Sequence, residues 1–550
     1  MAWWTDIWLN EGFATFMSIK VIEVIHPDWD FDTMFLTYKL HVVLDKDSQI
    51  NSHPIVQEVS NPQEIDSIFD IISYDKGASI LRMLEGMLGA EVFRIGIRAY
   101  LNRYQFGNAQ TDDLWYEIQT AFENVADIKK VMHTWTQQEG YPLVTATLDG
   151  TKLTLEQHRF LIDSSATYCV DSSPFKYRWE IPLTYVTSEN DTVHKLWLCS
   201  DHSSVTVELP EIQWIKINYR QRGFYIVNYS KSNWCALSNL LQTNINAISA
   251  ADRANLLYDA FSLAEAQYLT YDIPLEMTKY LVGECHFVPW TVANTRFFKL
   301  WYKLNGRCEY PQYEKYLRHL LGGIEDDVWN VPDVQTFSQS RYRLAVIKLG
   351  GLCGEPTYAT KIHEMFKNFL YENIAINPDI EEDIYNYGIA YGDVNDWNKV
   401  WHLYLKEQDP DKKLLFLVAL SYSRDTSLLI QYGKTGSYVL PQNFINLLGA
   451  MSENPLANSI AWDFIRCEWQ FLLHYLSPSN IGLGYITISI CGKFNTQQRL
   501  DEMKAFFKNY PDAGAAKSER ETALETVVQN IDWLKRNEAF IIDWLKNNNH

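Results

Sequence analysis

Across residues 141–229 the hydrophobic residues of this chain recur with a period of two, while on either side they recur at helical spacing. One layer of secondary structure cannot satisfy both patterns, so the chain must build several packed units. Leu143-Val144-Thr145-Ala146-Thr147-Leu148 alternates into Asp149-Gly150, a hairpin signal, and 153–160 alternates back. Residues 179–186, 193–198, 205–209, 214–217 and 224–227 read as further short strands between turn residues, which predicts a small β-sandwich. Ahead of it, Leu81, Met83, Leu84, Val92, Phe93 and Ile97 keep helical spacing. Beyond it, Ser249-Ala250-Ala251-Asp252 is a capping-box variant in front of Leu256, Leu257, Phe261 and Leu263. Ser518 and Glu521 repeat the device before Leu524, Val527, Val528, Ile531 and Leu534. The expected class is multi-domain α+β, with boundaries at 1–140, 141–229 and 230–550. The last stretch is too long for one bundle and fits stacked helix pairs, although no clean fixed-period repeat marks them.

The start of the chain is apolar from Ile7 to Ile25, but Glu11, Lys20 and Glu23 interrupt the run. It is too charged for a spanning helix, and it lacks the basic start and small-residue end of a signal peptide. It reads as an element of a folded domain. On a helix the neighbours of Glu11 are Ile7, Trp8, Ala14 and Thr15, an apolar to small face, so Glu11 is not expected to be solvated. A buried carboxylate needs a metal, a cation or strong hydrogen bonds. The residues leave open a metal or catalytic role and a hydrogen-bonded core glutamate.

Composition removes other classes. With 48 basic against 68 acidic residues the net charge is −20 and no Lys/Arg run exists, so a nucleic-acid partner is not expected. The 19 Trp, 33 Tyr and 26 Phe can fill several cores. Eight cysteines are too sparse for a disulfide scaffold and none has C-x-x-C spacing; Cys169 and Cys199 could pair across a sheet or stay as buried thiols. Asn190-Asp191-Thr192 and Asn228-Tyr229-Ser230 are glycosylation acceptor tripeptides that lean weakly toward secretion.

Trp3-Trp4-Thr5-Asp6-Ile7-Trp8-Leu9-Asn10-Glu11-Gly12-Phe13-Ala14 resembles the W-W-x-D-x-W-L-N-E-G-F-A segment of zinc aminopeptidases of the aminopeptidase N and glutamyl aminopeptidase (aminopeptidase A) family. Ile72-Ser73-Tyr74-Asp75-Lys76-Gly77-Ala78-Ser79 is similar to that family's I-S-Y-S-K-G-x-S segment, and the C-terminal ERETALETVVQNIDWLKRNEAFIIDWL resembles the end of glutamyl aminopeptidase. The resemblance implies that 1–140 is the C-terminal part of a thermolysin-like catalytic domain, that Glu11 is the third zinc ligand, and that Tyr74 stabilises the tetrahedral intermediate. It implies a HEAT-like solenoid for 230–550, peptide substrates with a free N-terminus, and a homodimer formed through the helical domain. The full-length family sits at the plasma membrane facing outward; within this chain no spanning segment is expected.

One departure from the family pattern is large. The family's H-E-x-x-H places its second His about 19 positions before the ligand Glu, ahead of Met1 in this numbering, and its G-x-M-E-N segment lies further upstream. Two zinc ligands, the general base and the amino-group site are therefore missing from the sequence. No two of the 13 His are four apart, and His363-Glu364-Met365-Phe366-Lys367 carries Lys where a second ligand would stand, so it reads as ordinary helix surface. No second metal motif is found. Asp6 reads equally as a carboxylate orienting a ligand and as a helix-start residue, and His53-Pro54, which matches the family's S-H-P-I, reads as a structural turn.

The expectation is the C-terminal portion of a zinc metalloaminopeptidase, inactive alone; the alternative is a non-catalytic partner that binds or dimerises with a full-length aminopeptidase through its helical domain. A preference for N-terminal Glu or Asp is a lead only, because Leu483-Gly484-Tyr485 has Tyr where an Arg is expected in vertebrate glutamyl aminopeptidases. The apolar face around Trp3, Trp4, Trp8 and Phe13 is expected to be left without a packing partner.

Overall fold

The computed structural model describes residues 1–61, 65, 68–121, 127–202, 204–324, 328–329, 335–433, 441–476 and 482–548. It divides into two compact units, Met1–Ala293 with Thr336–Gln339 and Asn294–Gln335 with Ser340–His550.

The first unit opens with helix α1, Trp8–Ile25, followed by the helical turns Phe31–Phe35, Leu36–Leu40 and His41–Asp47. A π-helical turn, Ile72–Lys76, runs directly into α2, Gly77–Leu88. A helix over Ala90–Arg103, then α3, Thr111–Ala121, and α4, Ile128–Thr136, complete the mainly helical part. The aromatic face of α1 is covered, contrary to expectation. Trp8 is fully buried and stacks on Trp115 at 5.8 Å, Phe13 stacks on Tyr100 at 6.4 Å, and Trp4 packs near Phe69. Only Trp3 stays more than half exposed, and its indole N–H donates to the Val59 carbonyl at 3.1 Å.

All seven expected strands are present: β1 Pro142–Asp149, β2 Lys152–Arg159, β3 Ile181–Thr187, β4 Asn190–Leu198, β5 Ser204–Glu208, β6 Ile215–Ile217 and β7 Ile226–Tyr229. They form a four-stranded sheet, β5-β2-β1-β7, and a three-stranded sheet, β4-β3-β6. Asp149 pairs with Lys152, so Gly150-Thr151 is a two-residue turn, and Gly150 has the positive φ of 58° that such turns require. The last strand, β7, lies parallel to β1; it is followed by a helix, Lys231–Thr243, and then by α5, Ala250–Glu265. The α5 helix is buried nearly all round, and its polar residues are spaced to meet the sheets. Asp252 pairs with the fully buried Lys216 of β6 at 2.9 Å, Asn255 also accepts from that ammonium, and Asp259 accepts from the Val227 amide at 3.0 Å. The expected cap at Ser249 holds, with its hydroxyl accepting from the Asp252 amide.

In the second unit the described regular elements are helices and helical turns, and sequence neighbours pack on each other: Pro356–Lys367 on Glu381–Tyr391, α6 (Val394–Lys406) on α7 (Pro410–Leu420), and Pro441–Glu453 on Pro455–Leu476. The final helix, α9, Lys517–Asn548, packs on α8, Gly482–Cys491, and also on Tyr310–Leu321, where Trp544 meets Tyr316 edge-on at 5.2 Å. The expected cap at Ser518 is not found. α9 begins one residue earlier, at Lys517, after the turn Gly514–Ala516, and Ser518 is a first-turn residue whose hydroxyl donates to Glu519. All eight cysteines are free thiols. Only Cys353 and Cys491 are buried, so the others depart from the buried-thiol reading.

Candidate functional site

Two glycines determine where α1 meets α2. A Cβ on Gly12 would lie 3.1 Å from the backbone of Gly77, and one on Gly77 would lie 3.2 Å from the Gly12 Cα. Only residues without side chains permit this approach. The crossing is fixed from below by Trp8, whose ring also touches Gly77 and whose indole N–H donates to the Thr111 hydroxyl at 2.9 Å. Asp6 accepts from the same hydroxyl at 2.6 Å and from the Thr111 amide. Asp6 therefore lies in the turn ahead of α1 and ties the chain start to the first turn of α3.

Glu11 adjoins one glycine and Tyr74 lies three residues before the other, so the crossing brings them together. The Glu11 carboxylate comes near enough to the Tyr74 phenol for the two groups to act on each other electrostatically. Glu11 is half-buried rather than sequestered. The phenol pKa is raised, first by desolvation and then by the neighbouring Glu11 carboxylate.

Tyr74 sits in the π-helical turn, a distortion often found at functional positions. Its neighbours anchor that turn. Asp75 pairs with Lys39 at 3.0 Å, and the fully buried Lys76 pairs with Asp47 at 2.8 Å while donating to the Gly140 carbonyl at 3.0 Å. Asp70 accepts from the Ile72 amide at 2.9 Å and the Ser73 amide at 3.3 Å, which caps the turn. His53 reaches Asp70 through Nε2 at 3.0 Å and the Pro54 carbonyl through Nδ1 at 2.8 Å. His53 thus braces the segment that carries Tyr74, a link of 17 residues with no sequence signature.

No imidazole or thiol joins Glu11 in a three-donor group among the described residues. The three-donor group they do contain is elsewhere: the ligand atoms of Cys199, Asp201 and His202, after β4, lie within 4.8 Å of one another. Motif spacing does not reveal it, because its three donors lie within four consecutive residues, in no recognised motif. His363 lies on Pro356–Lys367, half-buried, in keeping with an ordinary helix residue. Tyr485, at the position where an Arg is expected, is 54% exposed on α8.

Comparison with known proteins matches the two ends of this arrangement separately. A family model described as Peptidase family M1 domain matches residues 1–135, and one described as ERAP1-like C-terminal domain matches residues 214–529, more than half of the chain. The chain is 34% identical over 564 residues to glutamyl aminopeptidase of Bitis rhinoceros, covering 100% of this chain and 58% of that protein. It is 34% identical over 556 residues to glutamyl aminopeptidase of Homo sapiens, covering 100% of this chain and 57% of that protein. With aminopeptidase N of Canis lupus familiaris the identity is 29% over 575 residues, again covering 100% of this chain and 58% of the relative. The chain thus spans somewhat more than half the length of the curated relatives it matches.

Proposed function

The chain belongs to peptidase family M1, and on that ground we propose that it is the C-terminal portion of a zinc metalloaminopeptidase that removes N-terminal residues from peptides. In this reading Glu11 supplies one zinc ligand and Tyr74 donates its hydroxyl to the oxyanion of the tetrahedral intermediate. The observation that carries it is the close Gly12–Gly77 crossing, which brings the Glu11 and Tyr74 segments together so that the carboxylate acts on the phenol. It joins the two segments singled out from sequence, 63 positions apart, and the raised phenol pKa favours the neutral form that an oxyanion donor needs.

A catalytic zinc needs three protein ligands, and the described residues around Glu11 offer one donor of the required set. The described residues do not complete a zinc site, and in this reading the chain alone is inactive. The remaining ligands and the general base would belong to the part of the relatives' length that this chain does not span. Cleavage of N-terminal Glu or Asp is the substrate class that the relatives named glutamyl aminopeptidase point to. Tyr485 and the similarity to aminopeptidase N favour testing neutral residues beside acidic ones.

The wider reading keeps three parts: 1–140 catalytic, 141–229 a sandwich of the two sheets, and 230–550 a HEAT-like array of helix pairs through which a homodimer forms. The neighbour-on-neighbour helix packing supports the array. The full-length protein would face outward at the plasma membrane; among the described residues no helix is long and apolar enough to cross one. The second reading, a non-catalytic partner of a full-length aminopeptidase, draws on the single donor at Glu11 beside a fully packed helical unit.

The test uses two proteins, this chain alone and the chain extended upstream through H-E-x-x-H. The extended protein is expected to hold one zinc and hydrolyse Glu or Ala reporter peptides. In it Glu11→Ala should lose the metal, and Tyr74→Phe should keep it while kcat falls about a hundred- to a thousandfold. An active Tyr74→Phe variant would overturn the role of Tyr74, and stoichiometric zinc at Glu11 or turnover in the chain alone would overturn the incomplete site. A coding sequence that lacks the upstream motif would favour the partner reading.

A further inference from the structure

A cavity of about 640 Å³ opens in the first unit between the C-terminal end of α2, strands β3 and β4, and the turn around residues 219–223. That volume is in the range of small-molecule sites. None of its lining residues belongs to the Glu11–Tyr74 site. Its walls are largely apolar, with Met83, Leu183, Val193 and Trp197 contributing, yet four cations reach it: Lys20 from α1, Lys195 from β4, and Arg220 and Arg222 from the turn. Glu85 is the one carboxylate among the lining residues, and Lys20 occupies it at 2.8 Å. In a chain of net charge −20 this concentration of positive charge needs a cause.

The surroundings do not neutralise it. Beside the cavity, Asp32 is shared by three guanidinium groups: Arg222 at 2.6 Å, Arg82 at 3.3 Å and Arg220 at 3.7 Å. One carboxylate against three guanidiniums leaves two positive charges in excess. Arg82, fully enclosed, has its pKa lowered to about 10 by burial, with repulsion from Arg222 and Arg220 adding to the effect against the attraction of Asp32; it remains charged at neutral pH. Arg220 is held at φ 52°, a left-handed conformation costly for a side-chain-bearing residue, by its amide donating to Asp252 at 2.7 Å. Its Nε is enclosed without a hydrogen-bond partner. Lys195 is exposed at the cavity and has no carboxylate partner among the described residues.

The geometry points to a binding site for a small organic anion, a carboxylate or phosphate head on an apolar body, with the head on Lys195 and Arg220 and the body against Leu183 and Trp197. Charge-assisted hydrogen bonds from Lys and Arg suit either head, and the apolar walls exclude a bare inorganic ion as the best occupant. The site is independent of the peptidase reading, since it uses neither Glu11 nor Tyr74.

Isothermal titration of the purified chain with octanoate, octyl phosphate and octanol tests it, the two anions reporting which head is preferred. Both anions should bind, octanol at least about tenfold more weakly, and added salt should weaken only the anions. Lys195→Glu changes an exposed residue on an edge strand, and with Arg220→Gln it should lower the affinity for both anions about tenfold or more, with the melting temperature of Lys195→Glu unchanged. Octanol binding as tightly as octanoate, or anion affinity unaltered in folded Lys195→Glu, would overturn the site.

Discussion

His53 faces acceptors at both ring nitrogens, the Pro54 carbonyl and the Asp70 carboxylate, so each nitrogen must carry a proton for both bonds to form. Its pKa is accordingly raised: burial acts to lower it, but the Asp70 hydrogen bond, the Pro54 carbonyl and the Asp70 charge outweigh that, with Lys76 opposing. A histidine with a raised folded pKa stabilises fully below its unfolded value of about 6.5, and the contribution disappears as pH rises through the folded value. His53→Gln should therefore lower the melting temperature at pH 6 and have little effect at pH 9. An equal loss at both pH values would show that the charged form contributes nothing. Gly12 offers a second residue-scale test. Gly12→Ala forces a methyl against the Gly77 backbone, and overpacking of this kind costs about 1–3 kcal/mol in urea unfolding. Sequence pattern showed the residues of this site but not their relation. Glu11, Gly12, Tyr74 and Gly77 were conspicuous as segments, whereas Asp6 bonding Thr111 and Asp70 bonding His53 depend on folds of the chain that no spacing encodes.

Elements were legible wherever their signal is local. Alternation and Asp149-Gly150 define β1 and β2 because side-chain period and turn chemistry act within a few residues. The two S-x-x-[DE] patterns show the limit: Ser249 caps α5, while Ser518 lies inside α9 because the turn Gly514–Ala516 already starts the helix upstream. Ser249→Ala should cost about 1 kcal/mol and Ser518→Ala less than about 0.5 kcal/mol, measured by denaturant unfolding. Similar losses would remove the distinction. A larger effect is expected where β6 meets α5. Lys216 and Asp252 are both fully buried and bonded at 2.9 Å, so Lys216→Met leaves a buried carboxylate without its cation and should destabilise by about 3–5 kcal/mol.

At the scale of the whole molecule the question is which apolar surface is left facing solvent. The tryptophan-rich start of α1 seemed the obvious candidate from sequence, but Trp115, Thr111 and Tyr100 come from helices some hundred positions later and cover it. One uncovered apolar surface among the described residues is the second half of α1, where Met17, Val21, Val24 and Ile25 are 38%, 55%, 82% and 63% exposed. Their spacing of four, three and one places them along one side of the helix, an apolar stripe of the kind that drives association in water. Val21 and Val24 are more exposed than buried, so replacing these two should cost little stability. Val21→Ser with Val24→Ser should keep the melting temperature of the parent, reduce binding of a hydrophobic dye, and shift sedimentation toward smaller species at the same concentration. If parent and variant sediment alike at every concentration, the stripe does not drive association. A fall in melting temperature would mean instead that α1 buries these residues within the chain.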